Sequence, residues 1–148
     1  YAPLLAKERH TQWNPDLIYF NNREVKPTTG YYVQKLYGQN AGNEYLPSKI
    51  VLDNKDDKVR KRFASSIVRD SVSGDVIVKL VNLLPVEVNT NVDLSGIGAV
   101  QPSAKRTVLT GKPTDTPLPV EDRIQIAEKF DCNLPAYSFT VIRIQKAN

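Results

Sequence analysis

The residue types best able to do chemistry gather near the start of the sequence. Glu8, His10, Trp13, Asn14 and Asp16 lie in one short stretch, ERHTQWNPD, which holds the only histidine and the only tryptophan of the 148 residues. Trp13 offers a flat apolar face of the kind that stacks on a ring, and Asn14 offers both a donor and an acceptor for hydroxyl groups. A plainer reading is that Trp13 packs against neighbouring structure and Asn14 opens an Asn-Pro turn. Glu8 and Asp16 flank the turn, close enough in the chain for it to fold back and bring them together. Acid and base carboxyls need environments that separate their pKa values, however, and the surrounding residues supply no such asymmetry. Two independent surface acids are the simpler expectation. His10 has no second histidine and no acidic or cysteine cluster beside it, so neither a metal site nor a cofactor is expected. The lone Cys132 excludes an internal disulfide. Beside Asn133-Leu134-Pro135 it reads as a small, partly buried filler in a turn leading to a strand.

The rest of the chain must position these groups. Apolar residues make up 41% and charged residues 24%, so a packed core is expected and disorder is not. The net charge of +4 is mild. Its densest cluster, Lys55 to Arg62, mixes both signs and reads as a solvated loop or a strand entry. No nucleic-acid-binding motif accompanies it, and nucleic acid is not an expected partner. No run approaches the roughly 18 apolar residues of a membrane span, so no membrane partner is expected. The opening residues Ala2, Pro3, Leu4 and Leu5 are apolar and lack an initiator Met, whereas N-termini are usually polar and frayed. This reads as a chain whose upstream part has been removed. The missing signal peptide therefore says nothing about location.

The sequence divides at about Gln39 to Leu46, where Gly38 to Asn43 supply turn chemistry. Before them stands a strand over Asp16 to Phe20 and a helix over Thr29 to Tyr37. Thr28 or Thr29 caps the helix start, and a left-handed Gly38 closes its end. After them the period changes from 3.6 to 2. Val86 to Leu94 alternates apolar and polar residues, as a strand with one wet face does. Val76 to Leu84 is apolar on both faces apart from Lys79 and Asn82, and reads as more buried. Further strands are expected over Arg62 to Arg69, Lys105 to Leu109, Arg123 to Phe130 and Ala136 to Gln145, with Asp131 to Pro135 as a connection. Tyr137 and Phe139 should alternate within a strand and point inward. Short strands joined by Gly, Pro and Asp turns predict an all-β, antiparallel β-sandwich, jelly-roll-like.

The segments YAPLL, HTQWNPDLIYF, GYYVQKLYGQN and LPAYSFTVIRIQ together resemble the C-terminal part of α-L-arabinofuranosidases of glycoside hydrolase family 51. The resemblance implies a catalytic TIM barrel followed by a β-sandwich. Residues 1–46 would be a strand–helix remnant of the barrel, and residues 47–148 the sandwich. The implied activity is removal of terminal α-L-arabinofuranosyl units from arabinan and arabinoxylan, with retention of configuration. The family's two catalytic glutamates lie on earlier barrel strands, so no catalytic residue is carried over. Trp13 and Asn14 would face the substrate in the intact enzyme. The implied partners are the enzyme's own barrel and an arabinose-containing polysaccharide, and secretion or a periplasmic location follows by analogy. Apolar surface left by a missing barrel, or an open sheet edge, would favour homo-oligomers. Two alternatives stay open: an independent carbohydrate-binding sandwich, marked by a line of exposed aromatics on one sheet, and a protein-interaction sandwich.

Overall fold

The computed structural model describes residues 3–111 and 116–147. Near the start, β1 (Leu5–Lys7), β2 (Ile18–Phe20) and β3 (Val25–Pro27) form a three-stranded sheet in that order. β1 and β2 are parallel, with Leu5 opposite Ile18, while β3 is antiparallel to β2. Helix α1 (Thr29–Gln39) follows. Then come β4 (Glu44–Leu46), the short helix α2 (Asp57–Arg60), β5 (Phe63–Arg69), β6 (Val76–Asn82) and β7 (Val88–Asp93). The chain continues through β8 (Val100–Thr110), β9 (Val120–Gln125), β10 (Lys129–Leu134) and β11 (Ser138–Lys146).

Six strands form one antiparallel sheet in the order β4-β5-β6-β11-β8-β9, and β7 pairs with β10 in a second. The chain leaves the large sheet after β6 and returns at β8, then leaves after β9 and returns at β11. Its two excursions pair with each other, which is how jelly rolls cover one sheet with another. The inner core is built by period 2 from both layers: Val76, Val78, Leu80, Ile142 and Ile144 from the large sheet, Val92, Phe130, Cys132 and Leu134 from the small one. The outer face of the large sheet carries a second cluster, Ile77, Leu109, Phe139 and Val141, which α1 covers with Leu36, Tyr32 and Val33. Both faces of β6 and β11 are therefore dry, which explains their nearly continuous apolar runs. Asn82, fully buried at the end of β6, donates through Nδ2 to the carbonyls of Val86, Leu134 and Pro135. It fastens the β6–β7 turn to the β10–β11 turn.

The antiparallel sandwich expected from the sequence is the fold observed. Several local expectations are corrected. α1 runs through Gly38 and ends at Asn40, whose Nδ2 donates to the Leu36 carbonyl at 2.9 Å; its φ of −126° is not left-handed. The mixed charge run 55–62 winds into α2, capped by the Asp56 carboxylate accepting from the Lys58 N–H at 2.8 Å. The single strand expected over 123–130 is broken into β9 and β10. Asp131 and Asn133, read as turn residues, lie within β10 on its exposed side, and Asn91 on β7 donates to Asp131 across the pair. Tyr137 is not in a strand; it turns the chain with φ 48°. Phe139 points outward beneath α1 and stacks on Tyr37, ring centroids 4.7 Å apart.

Candidate functional site

The turn singled out by sequence is the crossover from β1 to β2. Parallel strands require the connection to run back along their length, and residues 8–17 do this without a helix. Thr11 organises its tip: its Oγ1 accepts the Trp13 N–H and donates to the Trp13 carbonyl, both at 3.1 Å. The Trp13 side chain is left 64% exposed, so it does not pack as a core tryptophan. The Asn14–Pro15 bond is cis. Asn14 accepts at Oδ1 from the Tyr19 hydroxyl at 3.0 Å, and that hydroxyl in turn accepts the Asp16 N–H at 2.8 Å. Glu8, Arg9, Thr11, Gln12, Trp13, Asn14 and Tyr19 wall a shallow concavity of about 400 Å³.

The two carboxylates flanking the turn have different fates. Glu8 accepts from Asn21 Nδ2 and Lys26 Nζ, each at 3.0 Å. The Asn21 amide first, and the Lys26 ammonium after it, hold the Glu8 carboxyl below the usual range, so it stands as an anion. Asp16 is wholly buried, and neither carboxylate oxygen has a hydrogen-bond partner. The fold thus gives the two acids unlike surroundings, one neutralised by a cation and the other sealed from solvent.

A larger cleft of about 770 Å³ lies between the β1-β2-β3 sheet, the start of α1 and one end of the large sheet. Glu8 and Tyr19 line it together with Thr28, Val33, Leu109 and Tyr137. Among the described residues no group of His, Cys, Asp and Glu is arranged to hold a metal. His10 is exposed and contributes a backbone N–H to the Lys7 carbonyl. Cys132 sits in the sandwich core on β10, where burial pushes its thiol pKa up. Sequence reading placed Trp13 and Asn14 on one turn, and the fold keeps them together. It overlooked Tyr19 and Lys26. Tyr19 was hidden in the strand run Leu-Ile-Tyr-Phe, where only a period-2 reading would have turned it to the opposite side from its neighbours.

By fold the chain is a β-sandwich domain with a small mixed sheet and a helix at its flank. Residues 1–140 match the family described as the α-L-arabinofuranosidase C-terminal domain, and the chain belongs to that family. The solved structure of arabinose-bound MgGH51 α-L-arabinofuranosidase superposes with a TM-score of 0.86 at 30% identity, over 99% of this chain and 24% of that one. An extracellular exo-α-L-arabinofuranosidase from Streptomyces chartreusis is 53% identical over 49 residues, 33% of this chain and 6% of its own. α-L-Arabinofuranosidase 1 of Arabidopsis thaliana is 26% identical over 165 aligned positions, 99% of this chain and 23% of its own. The chain thus spans less than a quarter of the length of each of these relatives.

Proposed function

We propose that this chain is the non-catalytic C-terminal region of an α-L-arabinofuranosidase that removes terminal arabinofuranosyl units from arabinan and arabinoxylan with retention. The observation that carries this reading is the match of almost the whole chain to less than a quarter of an arabinofuranosidase structure. A retaining glycosidase needs two carboxyls about 5 to 5.5 Å apart in contrasting protonation states. Glu8 is fixed as an anion and Asp16 is sealed away, so this turn supplies no such pair. Catalysis is assigned to the remainder of the enzyme, and bracing that catalytic barrel to this chain. Residues 1–46 are its contribution to the barrel, a reading favoured by the parallel pairing of β1 and β2, since barrel strands run parallel. Residues 47–148 are the sandwich. The 64% exposed Trp13 and its neighbour Asn14 are assigned to the substrate side.

A free-standing carbohydrate-binding module is disfavoured. Among the described residues the exposed aromatics Trp13, Tyr37, Tyr45 and Tyr137 are scattered over a turn, a helix, a strand and a second turn, and make no line on one sheet. The test is hydrolysis of an aryl α-L-arabinofuranoside. The chain alone is expected to give no turnover, and the same chain joined to an arabinofuranosidase barrel to give enzymatic turnover. Turnover by the isolated chain would overturn the proposal. Without the barrel, the open edge of β1 and the large cleft favour self-association, to be read by light scattering over a concentration series.

A further inference from the structure

The Trp13 turn contains a polar relay that does more than close a loop. Tyr19 reaches back from β2 so that its hydroxyl serves two partners at once. It accepts the Asp16 N–H at 2.8 Å, and it meets Asn14 Oδ1 at 3.0 Å. A phenol has a single proton to give. With an N–H already directed at its oxygen, the consistent use of that proton is donation to Asn14 Oδ1. The backbone bond thereby sets which end of the Asn14 amide faces Tyr19. The carbonyl end is occupied, and Nδ2 is left as a donor on the other side.

Among the described residues neither Asn14 Nδ2 nor Trp13 Nε1 has a protein acceptor, and both residues line the same concavity. Thr11, which could otherwise offer a hydroxyl there, is spent on the Trp13 backbone in both directions. Glu8, the carboxylate of the concavity, is engaged by Asn21 and Lys26. The turn therefore presents an exposed aromatic face and unpaired donors, with the Thr11, Asn14 and Glu8 oxygens already engaged and, among the described residues, the Gln12 amide free beside them.

We propose that Tyr19 is a positioning residue: it fixes the Asn14 amide so that Nδ2 projects as a pure donor beside the Trp13 ring, making the turn a subsite for the acceptor oxygens of a furanosyl unit. This rests on the assignment of Trp13 and Asn14 to the substrate side. Tyr19 touches no sugar; it acts through Asn14. Removing its hydroxyl leaves the amide free to rotate and to present its carbonyl, which competes for hydroxyl protons instead of donating. Asn14→Asp retains the oxygen that Tyr19 holds but abolishes the donor.

The experiment is a titration of this chain joined to an arabinofuranosidase barrel with arabino-oligosaccharides, followed by the NMR signals of the Trp13 indole N–H and the Asn14 side-chain amide. The wild-type chain is expected to show both signals moving. Tyr19→Phe is expected to weaken binding three- to tenfold, and Asn14→Asp at least as much. In an Asn14→Ala background, Tyr19→Phe should bring no further loss, which separates positioning through Asn14 from a general loosening of the turn. If the wild type moves neither signal, the substrate-side assignment fails and this proposal with it. If the wild type binds and Tyr19→Phe binds equally well, or weakens the Asn14→Ala chain as much as it weakens the wild type, only the role of Tyr19 is overturned. Should Tyr19→Phe not fold, Asn14→Asp decides: unchanged affinity in that variant refutes the donor role.

Discussion

Lys79 occupies a position where a sheet of this kind would hold valine. Its neighbours across the ladder are Ser66 and Val141, it is only 3% exposed, and among the described residues no carboxylate pairs with it. Its Nζ lies 5.7 Å from the centre of the Tyr37 ring. A cation over an aromatic face recovers about 0.5 to 2 kcal/mol. Withdrawing an ammonium from water costs several kcal/mol, so the balance is unfavourable. Burial accordingly pushes the amine pKa below its ordinary value. Lys79→Met is expected to raise the free energy of unfolding in urea by about 1 kcal/mol at neutral pH. A depressed lysine pKa means the cost is full below the folded-state value and fades as pH climbs from there towards the unfolded value of 10.5. The advantage of the variant should fade in step. A lower midpoint in Lys79→Met at pH 7 would show that the Tyr37 contact outweighs the burial.

α1 owes its place to tertiary contact rather than to its own propensity. It contains Gly30, Tyr31, Tyr32, Val33 and Gly38, which are modest or poor helix formers. Thr28 caps its start, and Leu36, 6% exposed, lands on the outer face of the large sheet among Ile77, Phe139 and Val141. Leu36→Ala is expected to cost about 2 to 4 kcal/mol in chemical denaturation, while the exposed Gln34→Ala changes little. An equal, small effect at both positions would mean that the helix is not anchored there. The sequence made the helix legible through its period and its Thr cap, but not where it would rest, since period alone names a face and not its neighbour. β7 was legible because one side of it meets water. β10 was not, because its outward residues Asp131 and Asn133 are turn formers that the β7 partner tolerates. At the site, turn chemistry exposed Trp13 and Asn14. The Tyr19 relay stayed hidden because its partners are fixed by the fold-back of the turn and the strand pairing together.

Acid sensitivity belongs to the whole molecule, since its anchors are spread along it. Asp70 is held below its ordinary pKa chiefly by the Val72 N–H, with help from Ser73 and Arg143. Asp93 is held well below the usual range by the Ser95 hydroxyl and then by Lys129, and Asp122 is lowered by Arg106. Each folded-state value lies under the ordinary 3.8, so unfolding takes up protons in acid. The stabilisation is present above that value and is lost as pH falls through the folded ones. Circular dichroism melts should show a level Tm from neutrality to about pH 5 and a steep decline below about pH 4. A Tm that held steady to pH 2 would contradict this assignment.

The place of β11 has a consequence for how the molecule comes into being. It is the seam between β4-β5-β6 on one side and β8-β9 on the other, and it is made after all of them. Until it leaves the ribosome, two half-sheets hang apart, each with a bare edge and the apolar side chains destined for Ile142 and Ile144 uncovered. Both half-sheets need this strand to join, so a nonsense mutation that removes only this segment should leave two sticky halves rather than a slightly shorter domain.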